Sequence, residues 1–523
     1  MEELIIRAIN FAQKDKKGMK ILTADKIREA DAYTIRHEPI ASIDLMERAA
    51  RQLLNFITKT CTPDDHFTIF TGPGNNGGDG WALTRMLWAE GFNKLEVYLL
   101  NISSKLSVDS DINRKRLAEQ TKVPVYEINS PGDFPAIAPG DIVIDALFGS
   151  GLSRPLEGMV AELVNHINKH TSKAVIAIDI PSGLFSNGDA ADAHPIAVKA
   201  DITLSFQFPK LTFLFPEHAG YVGRWEVLPI GLHKEFISQV DTPYYYVTSE
   251  IIQQAFKPRG KFSHKGNYGH ALLIAGSYGM MGAAVLAARA AVRSGTGLLT
   301  SHLSRLGVEI MQTAVPESLI SIDESDLLFT EHPPLEKFTA IGIGPGLNQK
   351  PNTKKGLIAL LKEVKVPLVI DADALNLLAT VDNWPEMLPA DAVLTPHPKE
   401  FERLFGAEDS SYSRVEVQRK FSKKHKVVIV LKGAHTCTTD TEGRAWFNST
   451  GNPGMATGGS GDVLTGIILG LLAQGYIPAD AARIGVFIHG KAGDIAAAIE
   501  GQTALTPSDM ITTLGKAFHS IEK

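Results

Sequence analysis

The segment Phe67-Thr-Ile-Phe-Thr71-Gly72-Pro-Gly-Asn-Asn-Gly-Gly-Asp79-Gly80 joins an apolar run to a glycine-rich loop, and a helical pattern follows over residues 80–90. A strand, a glycine loop and a helix in this order leave free backbone N–H groups at the helix N-terminus, where they bind anions. We expect these glycines to allow close backbone approach and left-handed dihedral angles. The spacing is not that of the dinucleotide-binding fingerprint. The segment therefore predicts an α/β domain with an anion-binding loop of another type.

A second loop of this kind lies in the other half of the chain. Gly458-Gly-Ser-Gly461-Asp462 opens the helix-like run over residues 463–472. Loop amides can stabilise the charge on a moving phosphoryl group while a carboxylate accepts the proton of the attacking hydroxyl. The alternative is that Asp462 only caps the helix after a flexible loop. Two unrelated loops predict two domains that each hold a nucleotide-like molecule.

The first half alternates strand-like and helix-like runs, which predicts a parallel sheet with helices on both faces. A further strand over residues 223–231 closes this domain. The second half also alternates strand-like and helix-like runs, but its sequence is not similar to that of the first half. The predicted strands are residues 67–71, 94–100, 141–146, 174–178 and 202–206, then 271–275, 340–343, 367–371, 392–394 and 427–431.

Three segments follow from this pattern. The alternation of strand-like and helix-like runs is interrupted near residue 242, so the predicted domains are residues 19–242 and 243–523. Residues 1–18 form a leader or extension. Met19 is a natural beginning for the first domain, and a mildly amphipathic leader helix is the alternative.

Composition limits the functional class. The chain has 523 residues, a formal net charge of −6 and two isolated cysteines. Such a charge gives no general attraction to nucleic acid or to an anionic membrane. The cysteines are too few for a disulfide framework or a zinc site. With no apolar run long enough to span a bilayer and no secretory order of regions, we expect a cytoplasmic protein.

Two aspartates in the first half follow apolar strands. Asp145 ends Ile142-Val-Ile-Asp145, and Asp179 ends Ile176-Ala-Ile-Asp179. Ligands bind at the carboxyl ends of parallel strands, although Asp at such a position often only caps a turn. Because two aspartates accompany a glycine loop, we favour a binding site.

These first-half motifs resemble the YjeF N-terminal family, whose enzymes are NAD(P)H-hydrate epimerases, over roughly residues 20–235. The resemblance implies a potassium ion near Asn76, Asp145 and Ser182. We expect a carboxylate, Asp179 or Asp145, to move the proton in such a reaction. In some relatives the fold is a scaffold without catalysis. The implied substrate contacts are Asn75, Asn76, Gly77, Gly78, Asp79, Gly149, Ser150, Gly151, Leu152, Ser153, Arg154, Pro155 and Asp179.

Most second-half motifs follow a predicted strand, so these converge on one edge of the sheet. Among them, His397 lies between two prolines and Lys432 precedes a glycine. A lone histidine is usually structural, but here we interpret it as a rigid ligand contact. The motifs are Lys261-Phe-Ser-His-Lys-Gly-Asn-Tyr-Gly269, Gly276-Ser-Tyr-Gly-Met-Met-Gly282, Gly342-Ile-Gly-Pro-Gly346, Asp371-Ala-Asp373-Ala-Leu-Asn376, Thr395-Pro-His-Pro-Lys-Glu400 and Leu431-Lys-Gly-Ala-His-Thr436.

This set resembles the ribokinase-like superfamily, and within it the ADP/ATP-dependent NAD(P)H-hydrate dehydratases, over roughly residues 245–518. The resemblance implies that Asp462 takes the proton of the C6 hydroxyl as that hydroxyl attacks ADP or ATP held with magnesium. ADP is our first choice, and no residue is evident for removing the C5 proton. The implied substrate contacts are Ala283, Gly346, His397 and Asp462, and the implied nucleotide contacts are Lys432, Gly433, Ala434, His435, Thr436, Gly459, Ser460 and Gly461.

Together the halves predict a bifunctional enzyme that repairs NADH-hydrate and NADPH-hydrate, with an N-terminal Rossmann-like three-layer domain and a C-terminal ribokinase-like domain. Epimerisation supplies the S form, and dehydration returns NAD(P)H through a phosphorylated intermediate. The family resemblance also implies a homo-oligomer. The main alternative is a vitamin or sugar kinase with a regulatory N-terminal half.

Overall fold

A computed structural model describes residues 19–103, 105–188 and 195–522. The prediction for residues 1–18 lies outside the described residues. The described chain divides into two compact units, one built mainly of Lys20–Thr242 and the other of Pro243–Asp409 together with residues 413–522. In the described part of the chain, no helix has the length and apolar character needed to cross a membrane.

The first unit is built on a seven-stranded sheet in which every neighbouring pair is parallel. The strand order is β4-β3-β2-β5-β6-β7-β8. The order reverses between β2 and β5, and such a switch point is where open α/β sheets bind ligands. The strands of the unit, with the short β1 that precedes it, are β1 Met19–Lys20, β2 His66–Thr71, β3 Leu95–Leu100, β4 Val125–Ile128, β5 Asp141–Ala146, β6 Ala174–Ile178, β7 Ile202–Phe206 and β8 Arg224–Leu228.

Helices cover both faces of this sheet, and two buried apolar clusters lie between the layers. The predicted three-layer arrangement is therefore confirmed. The edge strand β4 was not predicted, because its residues Val125, Tyr126 and Glu127 are exposed and do not form a buried apolar run. The helices are α1 Ala24–His37, α2 Ser42–Thr60, α3 Asn75–Ala89, α4 Val108–Gln120, α5 Gly158–Lys169, α6 Ala219–Val222 and α7 Lys234–Gln239.

The second unit has a mixed sheet in the order β9-β18-β17-β16-β15-β14-β13-β10-β11-β12. Its pairs are parallel except for the antiparallel pairs of β17 with β16 and with β18. The sequence did not predict β9, β11, β12, β17 and β18. Strands β11 and β17 carry polar residues and β12 is an edge strand, while β9 and β18 have only 3 residues each. The strands are β9 Tyr244–Tyr246, β10 His270–Ile274, β11 Leu298–Leu303, β12 Ser318–Ile322, β13 Ala340–Ile343, β14 Leu368–Ile370, β15 Val393–Leu394, β16 Val428–Leu431, β17 Cys437–Thr439 and β18 Ala445–Phe447.

Close helix packing forms the centre of this unit. A Cβ on Gly466 would lie 2.1 Å from the carbonyl oxygen of Ala287, so only glycine allows the two helices to approach this closely. This contact fixes the helix that begins at Ser460, and with it Asp462. The helices are α8 Ser249–Ala255, α9 Met281–Arg293, α10 Val308–Ala314, α11 Pro351–Glu363, α12 Ala372–Leu378, α13 Pro398–Phe405, α14 Ser411–His425, α15 Ser460–Ala473, α16 Pro478–Glu500 and α17 Pro507–His519.

Candidate active sites

The glycine-rich loop of the first unit is shorter than its sequence suggests. Helix α3 begins at Asn75, so the glycines at 77, 78 and 80 lie within the helix. The expectation of left-handed dihedral angles is wrong for this segment, since none of its glycines has a positive φ. The expected close approach is present: a Cβ on Gly77 would lie 1.9 Å from the carbonyl oxygen of Gly72. Packing, not dihedral freedom, explains Gly72, Gly77, Gly78 and Gly80, whereas a Cβ on Gly74 would meet nothing within 4 Å.

The first turns of α3 carry Asn75, Asn76, Gly77, Gly78 and Asp79 at the switch point. Asn76 and Asp79 are buried, and the Nδ2 atom of Asn76 has no hydrogen-bond partner in the described chain. Burial and the charges of Asp179 and Asp31 raise the pKa of Asp79 well above its usual value. An unsatisfied buried amide is costly, so this atom indicates that a ligand completes the site.

Asp145, at the end of β5, is hydrogen-bonded to the loop that follows β6. Its carboxylate accepts hydrogen bonds from Ser182 Oγ at 2.6 Å and from the Ser182 backbone N–H at 2.8 Å. Ser182 Oγ also lies 3.2 Å from the carbonyl oxygen of Phe148. Burial raises the pKa of Asp145 to about 6, while these hydrogen bonds act to lower it. Carboxylate, hydroxyl and carbonyl oxygens therefore converge, a donor set that fits a hard cation such as potassium.

Asp179 has a strained backbone and a fully buried cation as its partner. Its φ is 65°, which is unusual for a residue other than glycine and is found most often at functional sites. Its carboxylate lies 2.8 Å from Nζ of Lys210, whose side chain is 1% exposed. Backbone N–H groups of Ser150 and Phe206 also donate to it, at 3.4 and 3.3 Å.

The loop after β5 carries the remaining predicted contacts of the first unit. Gly149 packs against Asn76, because a Cβ on this glycine would lie 3.3 Å from the Asn76 side chain. The loop turns through a hydrogen bond from the Leu152 N–H to the Gly149 carbonyl oxygen. It runs from the buried strand end toward solvent, through Gly149, Ser150, Gly151, Leu152, Ser153, Arg154 and Pro155.

In the second unit, Asp462 stands in the first turn of α15. Gly459 caps this helix with a φ of 96°, a conformation that favours glycine. The carboxylate of Asp462 has no hydrogen-bond or ion-pair partner among the residues described. Burial raises its pKa to about 7; the Asp371 charge adds to this rise and Lys432 opposes it. An unpaired carboxyl group with a pKa near neutrality, beside a helix N-terminus, is suited to general base catalysis.

Lys432 is tied to carboxylates at the same edge of the sheet. Its Nζ lies 2.8 Å from Oδ1 of Asp371 and 3.8 Å from Glu400. The other oxygen of Asp371 accepts a hydrogen bond from Thr465 Oγ1 on α15 at 2.6 Å. Burial alone would lower the pKa of Lys432, but Asp371 and Glu400 raise it. The predicted nucleotide contact is therefore also the neutralising partner of a strand-end aspartate.

The predicted substrate contacts Ala283 and Gly346 lie side by side. A Cβ on Gly346 would be 3.1 Å from Cβ of Ala283 and 2.6 Å from the carbonyl oxygen of Met280. Gly346 is held by a hydrogen bond from Ser277 Oγ to its carbonyl oxygen, at 2.9 Å. The loops after β10 and β13 therefore meet at this point, as their strand-end positions predicted.

His397 is the N-cap of α13. Its Nδ1 accepts hydrogen bonds from the backbone N–H groups of Lys399 and Glu400, and its Nε2 lies 3.4 Å from Glu400 Oε1. The acceptor role of Nδ1 places the proton on Nε2. This cap gives the ring the rigidity that we predicted, and the side chain remains 44% exposed.

The turn between β16 and β17 holds the other predicted nucleotide contacts, Gly433, Ala434, His435 and Thr436. Thr436 Oγ1 and Gly433 exchange hydrogen bonds at 3.2 and 2.9 Å. Nδ1 of His435 lies 3.0 Å from the carbonyl oxygen of Asn448, and burial lowers its pKa. Gly459, Ser460 and Gly461 lie at the start of α15, where a Cβ on Gly461 would be 3.4 Å from Lys432 Nζ.

Sequence reasoning missed several polar side chains at these sites. Lys210 lies in the loop after β7, and nothing in the sequence distinguishes it from an ordinary exposed lysine. Asp373 and Asp371 were noticed within a motif but given no role; Asp373 accepts hydrogen bonds from Asn348 and Gln349 at 2.8 Å. Thr465 carried no signal of its own, since its partner Asp371 is distant in sequence, whereas Glu400 stands three residues after the N-cap His397, the spacing of a capping box.

Within residues 19–103, 105–188 and 195–522, no group of three or more His, Cys, Asp or Glu side chains could hold a metal ion. Magnesium is commonly held by one or two carboxylates together with nucleotide phosphates. The second site therefore fits a magnesium ion that arrives with its nucleotide.

Comparison with known proteins places both units in one family. Residues 42–212 match the family described as YjeF-related protein N-terminus, and residues 271–516 match NAD(P)H-hydrate dehydratase. A bifunctional NAD(P)H-hydrate repair enzyme of Moorella thermoacetica is 35% identical over 522 residues, covering 97% of this chain and 98% of that protein. The chain belongs to the family of bifunctional NAD(P)H-hydrate repair enzymes.

Other members of this repair-enzyme family are similarly close. That of Coxiella burnetii is 35% identical over 492 residues, covering 94% of this chain and 97% of its own. The crystal structure of a Bacillus subtilis ADP/ATP-dependent NAD(P)H-hydrate dehydratase, co-crystallised with ATP/Mg2+, is 32% identical with a TM-score of 0.48, covering 53% of this chain and 98% of that one. The predicted family and enzyme class are confirmed, and the kinase alternative is not favoured.

Proposed function

We propose that this chain epimerises the R and S forms of NADH-hydrate and NADPH-hydrate in its first unit and dehydrates the S form in its second. The observation that carries the proposal is Asp462, an unpaired carboxylate at a helix N-terminus beside the Lys432–Asp371 pair. Membership of a bifunctional family over nearly the full length supports the assignment of both activities to one chain.

In the first unit, epimerisation needs only a reversible loss of the C6 hydroxyl. The ring nitrogen donates its electron pair to form an iminium ion as the C6–O bond breaks, and water then adds to either face. The polar wall of the site consists of α3, the loop after β5 and Asp179. The proposed substrate contacts are those named above from Asn75 to Asp79, from Gly149 to Pro155, and Asp179.

In the second unit, Asp462 takes the proton of the C6 hydroxyl as the hydroxyl oxygen attacks the terminal phosphoryl group of ADP or ATP. Amides at the start of α15 stabilise the developing charge. Phosphate then leaves C6 with help from the ring nitrogen, and loss of the C5 proton restores the double bond. We propose ADP as the first phosphoryl donor, with nucleotide contacts at residues 432–436 and 459–461.

Two cations belong to the proposal. Asn76, Asp145 and Ser182 would hold potassium, which would fix the loops around the first site. Magnesium bound with the nucleotide would neutralise phosphate charge in the second. Cytoplasmic location and a homo-oligomeric state stay predictions.

The test follows absorbance at 340 nm with purified protein, magnesium, potassium and both NADH-hydrate epimers, with ADP and ATP tried separately. We expect full recovery of the dihydronicotinamide band, and none with Asp462→Asn. Recovery that stops with one epimer left would remove the epimerase assignment and retain the dehydratase. A stable phosphorylated product without NADH would instead support the kinase alternative.

A further inference from the structure

Helix α1 lines one side of the first site, and the proposed function gives its residues no role. Its residues Ala24, Arg28 and Asp31 are spaced by four and three positions, so they share one face of the helix. The backbone N–H of Ala24 donates to Oδ1 of Asn187 at 3.3 Å. Nη1 of Arg28 lies 3.9 Å from where a Cβ on Gly151 would stand. The face therefore rests against the loops that follow β5 and β6.

Asp31 continues this face toward the centre of the site. It lies close enough to Asp179, Lys210 and Asp79 for their charges to interact with its own. On its own helix, Arg28 is the nearest cation, and its guanidinium is instead paired with the exposed Asp25. Asp31 and Asp179 thus share a single buried ammonium, which can neutralise only one of them, and Asp79 adds a third carboxyl group close to both.

The carboxyl groups differ in what they are able to do. Asp179 is paired with Lys210 at 2.8 Å, so its carboxylate is already engaged. Asp79 is buried on α3, and burial with the charges of Asp179 and Asp31 holds its pKa well above its usual value, so it does not readily give up its proton. Asp145 is completely buried and engaged by Ser182. Asp31 has neither a hydrogen bond nor an ion pair with the residues described, and it is only partly buried.

We propose, on the basis of the proposed epimerase function, that Asp31 is the acid of the first site, which protonates the C6 hydroxyl as it leaves. The C6–O bond breaks, its electron pair and the Asp31 proton leave as water, and the nitrogen lone pair forms the iminium. When water adds to either face, its surplus proton returns to Asp31. No other reactant is required.

The ionisation of Asp31 supports this role. Burial, together with the negative charge of Asp179, raises its pKa to about 7, and Lys210 opposes the rise. Asp31 therefore holds a proton at or below neutral pH and can give it up within a catalytic cycle. We expect epimerisation to slow as the pH rises above about 7.

The experiment measures interconversion of the two NADH-hydrate epimers by chromatography, without nucleotide, from pH 5 to pH 9. We expect Asp31→Asn to lower the rate on the order of 100-fold or more and to remove the decline above neutral pH. Asp31→Glu should restore part of the rate together with the decline. Glu29→Gln on the same helix, which loses only an exposed pair with Lys26, should behave like the unaltered enzyme.

The activity of the second unit, measured in the same sample, serves as a check that the variant is folded. ADP-dependent dehydration of the S epimer should be unchanged in Asp31→Asn. If Asp31→Asn interconverted the epimers at a rate within threefold of normal, the proposal would be overturned. A slower rate that still declines above pH 7 would also overturn it, and Asp79→Asn should then remove the decline. Absence of interconversion in the unaltered enzyme would instead refute the proposed epimerase function.

Discussion

The two sites repeat one electrostatic arrangement on different sheets. In the first, Asp179 follows β6 and is paired with Lys210; in the second, Asp371 follows β14 and is paired with Lys432, and both distances are 2.8 Å. Each pair leaves another carboxyl group without a partner in the described chain, and burial raises its pKa to about 7.

The difference lies in what faces the unpaired carboxyl group. Asp462 belongs to the N-terminal turn of α15, whose amides favour a transferred phosphoryl group. Asp31 lies in the middle of α1 and faces the carboxyl groups of Asp79 and Asp179, which would repel such a group. The same acid and lysine pairing can therefore serve phosphoryl transfer in one unit and proton exchange in the other.

The largest effect should come from Asp462→Asn. Removing the base should lower ADP-dependent NADH formation by roughly 1,000-fold or more, while epimer interconversion stays normal. Absorbance at 340 nm and chromatography measure the two activities. If both fell together, the two sites would not be chemically independent.

Matched lysine variants test the shared pairing. Lys210→Met and Lys432→Met each leave a buried aspartate without its cation, so each should lower only its own unit's activity, by about 10- to 100-fold. Epimer exchange and NADH formation are measured for both variants. Loss of both activities in either variant would argue that the lysine supports folding and not a site.

Opposite pH profiles should distinguish the two free carboxyl groups. The role proposed for Asp462 is that of a base, so dehydration should rise several-fold from pH 6 to pH 8 as its proton is lost. Epimerisation, which needs the acid form of Asp31, should fall over the same interval. Rates of both reactions in one buffer series would check this, and parallel profiles would contradict the contrast.

Stability gives the smallest expected effect. The folded-state pKa of Asp462 is raised, so its favourable contribution is present below its usual pKa near 4 and is lost as the pH rises through about 7. Asp462→Asn should therefore unfold like the normal enzyme at pH 4, yet be more stable by about 1–2 kcal/mol at pH 8. Urea unfolding of the second unit at both pH values measures this difference.

Much of the architecture could be predicted because buried parallel strands form continuous apolar runs. Strands β5, β6 and β7 were predicted with the bounds that the structure has. Strand β12 was missed because it is an edge strand with exposed Leu319 and Ile322. Edge strands lack the two-sided burial that gives the sequence signal.

The sites were predictable where chemistry follows a strand end. Asp145 and Asp179 were chosen at strand ends and Asp462 in a glycine loop at a helix start, but Lys210, the partner of Asp179, was not chosen. Lys210 is recognised only once its ammonium is seen buried against Asp179. Asp31 is one of several polar residues of α1, and the signal that could have revealed it is its position next to the buried Ala30.

The burial of Lys210 determines how its ion pair with Asp179 responds to ionic strength. Mobile ions screen charges across water, with a Debye length of about 8 Å at physiological salt, but they reach buried pairs poorly. The attraction between Lys210 and Asp179 should therefore persist in concentrated salt, whereas the attraction of the exposed Arg28 for an anionic ligand should weaken. In the first site, the electrostatic field of the buried pair should stay constant, while the binding of a charged nucleotide near exposed residues should change with the salt concentration.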